Sequence, residues 1–163
     1  MTVSPQALFV LLEKVKTLSP LWIRLPLGVV FIAHGLDKLF GTFGGGGFDA
    51  TVAQFAELGL QPAWFHAALG GGGELLGGIL VLLGLLTRFG GLLIAATMVV
   101  AIITVHLSGG LFARDGGFEY PLVILGSALS LVFTGGGALA LDRLVLDPLL
   151  KSFKNITRNR THD

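Results

Sequence analysis

The sequence predicts an all-α protein: a four-transmembrane-helix up-down bundle with an N-terminal amphipathic interfacial helix. Three observations carry this. Charged residues make up 13% of the 163-residue chain and the hydrophobic set 53%, where a soluble domain carries about 25% charged residues. The mean hydropathy is +0.82. The apolar residues also fall into four runs close to the roughly 20 residues that a helix needs to cross a bilayer core. The charge deficit excludes intrinsic disorder as well, which requires high charge and low hydrophobicity.

Residues 1–20 read as an amphipathic helix on the cytoplasmic side. Ser4 caps it and Pro5 takes the first helical position. Leu8, Leu11, Leu12, Val15 and Leu18 recur at helical spacing opposite Glu13, Lys14 and Lys16, the pattern of a helix lying in the membrane interface. Residues 21–142 hold the membrane domain. Its first span is 21–40. This is not a cleaved signal peptide, because His34, Asp37 and Lys38 stand where one would be apolar or small. The second span is 65–86, and a tight Thr87-Arg88 corner leads to the third, 89–107. The fourth, 120–133, is short, and it extends through Leu139 if Gly135, Gly136 and Gly137 stay helical. Between the first two spans, 41–47 is a Gly-rich loop without a phosphate-binding pattern. A short outer helix over 49–61 follows, with Val52, Phe55 and Leu58 toward the bilayer surface, and Pro62 opens the next element. Residues 143–163 form a basic cytoplasmic tail.

The distribution of Lys and Arg sets the orientation. Lys14, Lys16, Arg24, Arg88, Arg143, Lys151, Lys154, Arg158 and Arg160 lie on the side of the termini, against Lys38 and Arg114 on the other. Both termini are therefore expected in the cytoplasm, at a bacterial inner membrane, with loops 41–64 and 108–119 facing outward. A net charge of +1 gives no basis for nucleic-acid binding. The absence of cysteine excludes disulfides, iron–sulfur clusters and thiol chemistry.

Helices in lipid associate through close backbone contact and small residues. Gly28 and Gly35 supply these in the first span, and Gly73 and Gly77, with Gly70 and Gly84, in the second. Thr97, Ala101 and Thr104 line the third, and Gly126, Ser127, Ser130 and Thr134 the fourth.

Ionisable groups at membrane depth usually face a protein interior or a wet cavity. His34 lies about 9 Å and Glu74 about 13 Å below the outer ends of their spans, at 1.5 Å per residue. Up-down topology brings His34, Asp37, Lys38, Glu74, His106 and Glu119 toward one outer half, with Tyr120 at the mouth. Glu74, within a run of Gly and Leu, needs a partner, and His34 or Lys38 is the natural one. Two readings fit it: a proton-handling or polar-ligand site, and a buried ion pair that locks helix register. On an ideal helix His106 points away from the Thr97/Thr104 stripe and belongs to the interface. Haem between His34 and His106 is disfavoured by their unequal depths. A His/Glu metal set of His34, Glu74, His106 and Glu119 has no motif behind it, and no metal is assigned. Arg24, Arg88 and Asp142 lie near the cytoplasmic face as structural or orientation charges, Asp142 capping or pairing with Arg88.

Three stretches resemble the DoxX family of small four-helix membrane proteins: R-L-P-L-G-V-V-F-I-A-H-G-L-D-K-L-F-G at 24–41, G-E-L-L-G-G-I-L-V-L-L-G-L-L-T-R at 73–88, and G-G-F-E-Y-P-L at 116–122 with F-T-G-G-G-A-L-A-L-D at 133–142. The resemblance spans about 20–142. It carries over Arg24, His34, Gly35, Lys38, Glu74, Gly77, Arg88, Glu119, Tyr120, Pro121 and Asp142. The family is named for a subunit associated with a terminal quinol oxidase and is similar to the DoxD-type subunit of thiosulfate:quinone oxidoreductases. The resemblance thus implies a membrane subunit of a quinone-linked oxidoreductase, with quinone near the polar cluster, Glu74 or His34 exchanging its proton, and Trp64, Phe65 and Tyr120 at the mouth. The alternative is a non-catalytic scaffold or assembly subunit of a larger membrane complex, and a small transporter ranks third. The expected partners are membrane lipid and other membrane subunits or further copies of the chain.

Overall fold

The computed structural model describes residues 4–145, and every element among them is helical or turn. The first helix, α1 (Pro5–Phe40), runs unbroken for 36 residues through Pro20 and Pro26. The expected interfacial helix and first span are therefore one element. The side chains of Leu11, Glu13, Lys14 and Lys16, on which the amphipathic face rests, lie outside the described residues, as does the tail from 146 onward. The part of α1 long and apolar enough to cross a membrane is Thr17–Phe40.

Four helices follow: α2 (Gly47–Glu57), α3 (Ala63–Leu83), α4 (Thr87–Ala101) and α5 (Glu119–Thr134). The α4 helix continues as a π-helical turn, Ile102–His106, and a 3-10 turn, Leu107–Gly109. Together with Thr17–Phe40, the segments Ala63–Leu83 and Thr87–Gly109 make three that are long and apolar enough to span. The expected fourth, α5, has 16 residues, about 24 Å. It does not extend through the glycines: Gly135, at φ 74°, leaves the helical region and ends it. The short helix expected at 49–61 is α2, and Pro62 precedes α3 as expected.

Close approaches give the order of packing. The most extensive interface is α1 on α3, and it runs antiparallel. A Cβ on Gly28 would lie 2.6 Å from Leu82 Cβ, one on Gly35 2.6 Å from Leu75 Cβ, and one on Gly78 2.7 Å from the Ile32 nitrogen. On the next face of α3, a Cβ on Gly77 would meet the Gly90 carbonyl of α4 at 3.1 Å, and Gly91 of α4 meets Ala128 of α5 in the same way. Two of the expected packing glycines behave otherwise. Gly73 has its nearest neighbour, Thr97 Cγ2, at 3.7 Å, and Gly126 has nothing within 4 Å because its face of α5 is exposed. The core lies between α1, α3, α4 and α5, with Phe31, Val81, Ile94, Ala128 and Leu131 at its centre. Trp22, Val123 and Phe133 are exposed outside it, as lipid-facing residues are.

One end is tied by Arg24, expected near the cytoplasmic face as a structural or orientation charge and only 2% exposed. Its guanidinium donates to four carbonyls: Val81 at 2.8 Å and Leu82 at 2.9 Å at the end of α3, and Gly136 at 2.8 Å and Leu139 at 3.3 Å beyond α5. A helix end leaves such carbonyls without donors, and lipid offers none. Asp142 serves the opposite polarity. Its carboxylate accepts from the Leu86 N–H (2.6 Å), the Thr87 N–H (3.1 Å) and the buried Thr87 hydroxyl (2.8 Å), capping the start of α4. Of the two roles expected for Asp142, capping is the one seen, at Leu86 and Thr87, while Arg88 is exposed.

Lysine cannot reproduce this fork of donors. Arg24→Lys should lower the detergent melting temperature by roughly 10 °C, as expected for about 3 kcal/mol lost from a buried polar network; a change within error would show the clamp to be dispensable. Gly35→Ala should destabilise the protein strongly, whereas Gly126→Ala should be neutral or stabilising by up to about 1 kcal/mol. Thermal unfolding of the pair checks both, and equal effects would contradict the packing order.

Candidate ligand site

At the other end, α1 and α3 bring Lys38 to Glu74. The ammonium lies 2.5 Å from Oε1, with side-chain exposures of 30% for Lys38 and 6% for Glu74. Gly71 allows this: a Cβ there would stand 2.8 Å from Leu39 Cδ2 and 3.4 Å from Lys38 Cβ. The Thr51 hydroxyl donates to the Lys38 carbonyl at 2.8 Å, fastening α2 onto the last turn of α1. Asp37 has a different task. It accepts from the Phe43 and Gly45 N–H groups at 3.0 and 2.9 Å and shapes the Gly-rich loop.

The other carboxylate oxygen, Glu74 Oε2, is buried and without a hydrogen-bond partner among the described residues. An unmet buried acceptor costs about 1–3 kcal/mol, more when charged. Two clefts meet at this residue. The first, of about 430 Å³, lies between α2, α3 and α4, with Phe55, His66, Leu69, Gly73, Thr97 and Val100 among its walls. The second, of about 420 Å³, lies toward α5 and is lined by Phe31, His34, Met98, Tyr120 and Ile124. Lys38, Glu74, Ala101 and His106 line both. Each is a mainly apolar hollow with polar side chains among its walls, the usual composition of a small-molecule site.

His106 reaches this wall against expectation. On an ideal helix it lies half a turn from Thr97. The π-helical turn Ile102–His106 shifts the phase, and Thr97, Thr104 and His106 all line the first cleft. The ring is held by a 2.9 Å hydrogen bond between Nδ1 and the Gly116 carbonyl.

The polar cluster is thus assembled in part. Lys38, Glu74 and His106 line both clefts, while His34 and Tyr120, both exposed, line only the second. Glu119 lines neither; its backbone N–H bonds the Leu111 carbonyl at 2.9 Å. Trp64 and Phe65 are exposed and also lie off both clefts. Among the described residues, no three His, Asp or Glu side chains cluster as metal ligands would. His66 was not singled out from the sequence, yet His66, Gly70 and Glu74 follow one another at four-residue spacing on one helix face, a signal that was available. Phe55 covers that face: a Cβ on Gly70 would lie 3.1 Å from its ring.

Removing Lys38 alone leaves Glu74 without its counter-charge. Lys38→Met should therefore destabilise more than Lys38→Met with Glu74→Leu, with a coupling of about 1–3 kcal/mol in a double-mutant cycle. Additive effects in thermal unfolding would mean that the pair is not coupled.

The DoxX family model matches residues 19–107. The chain is 37% identical over 130 residues to the Bacillus subtilis protein named "Putative oxidoreductase CatD", covering 78% of this chain and 87% of that one. It is 34% identical over 135 residues to a membrane protein of Mycobacterium tuberculosis, covering 77% and 80%. It is 31% identical over 128 residues to a protein of Haemophilus influenzae, covering 78% and 83%. No solved structure matches it significantly. Apolar helices of spanning length, the extent of the family match and these relatives agree: the chain is an integral membrane protein and belongs to the DoxX family.

Proposed function

We propose that the protein is a membrane subunit of a quinone-linked oxidoreductase, and that its α2–α3–α4 cleft takes the ring of a quinone-type molecule against Glu74. The observation that carries this reading is the buried Glu74 Oε2, an acceptor with nothing to accept, on the wall of an apolar cleft of about 430 Å³. The residues fit such a group. Phe55, Leu69 and Val100 offer apolar walls, and Glu74 Oε2 offers an acceptor at their edge. A bound quinone supplies two-electron, two-proton redox chemistry. The chain contributes a seat, exclusion of water, and a carboxylate at which a proton is held. With no cysteine it brings no thiol couple, and a redox role runs through a bound quinone, a metal or a partner. The printed name of the Bacillus subtilis relative supports an oxidoreductase context. The excess of Lys and Arg on the Arg24 side supports cytoplasmic termini in a bacterial inner membrane.

The test is quinone extraction from protein purified in mild detergent, wild type beside Glu74→Gln. Wild type should retain quinone, counted as its reduced and oxidised forms together, and the variant should retain roughly tenfold less of the reduced form, whose hydroxyl can donate to Glu74, the equivalent of one charge-assisted hydrogen bond. Equal retention would remove Glu74 from the site. No quinone in either, with no shift in melting on adding a short-chain quinone, would leave the scaffold reading.

A further inference from the structure

Resting on that reading of the cleft, we infer that the site is built for the reduced, hydroxyl-bearing form of its ring ligand, a dihydroxyaromatic, over the oxidised, carbonyl-bearing form. The basis is the hydrogen-bond polarity of the wall.

Glu74 gives one oxygen to Lys38 and presents the other, buried and unmatched. Paired with an ammonium, a carboxylate is acceptor-only. His106 is fixed in the same sense. Its Nδ1 lies 2.9 Å from the Gly116 carbonyl, and a carbonyl can only accept. Nδ1 therefore carries a ring proton, and in that tautomer Nε2 is an acceptor. The π-helical turn Ile102–His106 is what brings this ring to the wall that Glu74 lines.

The two threonines of the cleft agree. The Thr97 hydroxyl donates within its own helix to the Ile94 and Leu93 carbonyls at 2.8 and 3.1 Å, and that of Thr104 to the Val100 carbonyl at 2.8 Å. Their protons are used, and their oxygens keep lone pairs. Against these four acceptors stand few donors. Lys38 spends one N–H on Glu74 and is partly exposed, so its others reach water. Gln54 and His66, which also line the cleft, each carry a donor and an acceptor.

The two ring hydroxyls of such a ligand satisfy Glu74 Oε2 and His106 Nε2, one each. A ring carbonyl in the same place sets acceptor against acceptor and leaves the buried oxygen unmet. Sites that hydrogen-bond a ligand hydroxyl reject analogues lacking it more sharply than apolar pockets reject a change of size.

The experiment measures binding of three probes to the intact protein in nanodiscs: decylubiquinol kept reduced, decylubiquinone, and the dimethyl ether of decylubiquinol, which has the reduced ring but no hydroxyl hydrogens. Wild type should prefer the quinol to both others by about 100-fold, roughly tenfold for each of two hydroxyl bonds. His106→Asn keeps an N–H for the Gly116 carbonyl and removes Nε2. It should melt like wild type with the preference reduced to about tenfold. Quinone or dimethyl ether binding as tightly as quinol would overturn the inference while leaving the cleft as the ring site. An unchanged preference in His106→Asn would remove His106 from it. Binding of none of the three would overturn the inference and the reading beneath it together.

Discussion

Four carbonyl oxygens, two at the end of α3 and two beyond α5, converge on one buried guanidinium, and the alignment of the helices follows from that. Arg24 meets Val81 and Leu82 at a single height on α3. From there α1 and α3 run antiparallel through Gly28, Gly78 and Gly35 with backbones too close for side chains to intervene. Sliding one helix by a turn would drive Leu75 or Leu82 into a backbone and strand the guanidinium among apolar groups, at a cost of several kcal/mol. The same alignment, carried to the far end, delivers Lys38 to Glu74. The two ion-bearing ends are thus joined by one rigid interface. Arg24 also holds the chain after α5 through Gly136 and Leu139, which positions Asp142 to cap α4.

The Lys38–Glu74 pair is asymmetric. The lysine is partly exposed and the glutamate is not, so the lysine has recourse to water and the carboxylate does not. A pair serving register alone would be expected to use both carboxylate oxygens, since every unmet lone pair subtracts from its worth. Here one oxygen is matched and the other is left at the junction of two clefts. Around it the protein has arranged a cover, with Phe55 of α2 over Gly70, and a stop, with the loop after α4 gripping His106.

Much of this was readable from the sequence because its causes are local. Hydropathy placed the apolar segments, Pro62 and the glycine loop bounded α2 and α3, and a lone Glu74 among Gly and Leu declared itself by its desolvation cost. Depth narrowed its partner to His34 or Lys38, and the structure pairs it with Lys38. What escaped depends on other parts of the chain. The acceptors of Arg24 lie 57 to 115 residues away, so its burial has no local signature. The phase of His106 turns on one extra residue within a helical turn, which periodicity cannot detect. Which glycines pack is decided by the neighbouring helix: Gly78 is pressed against α1, while Gly126, equally suggestive in isolation, faces outward. Continuity of α1 through Pro20 and Pro26 likewise contradicts a local rule, since proline in a helix interior usually breaks or kinks it.

The shortness of α5 has a consequence for the surrounding lipid. At about 24 Å it falls short of a hydrocarbon core of about 30 Å, while α1 on its flank overshoots it. For α5 to cross, the bilayer has to thin on one side of the protein only, at fractions of a kcal/mol per ångström of mismatch. The non-helical chain beyond Thr134 can sit at that depth because Arg24 takes up the Gly136 and Leu139 carbonyls. A crossing α5 would thus make the hydrophobic belt lopsided, so neighbouring proteins and lipids of different length would not meet all faces of this one equally.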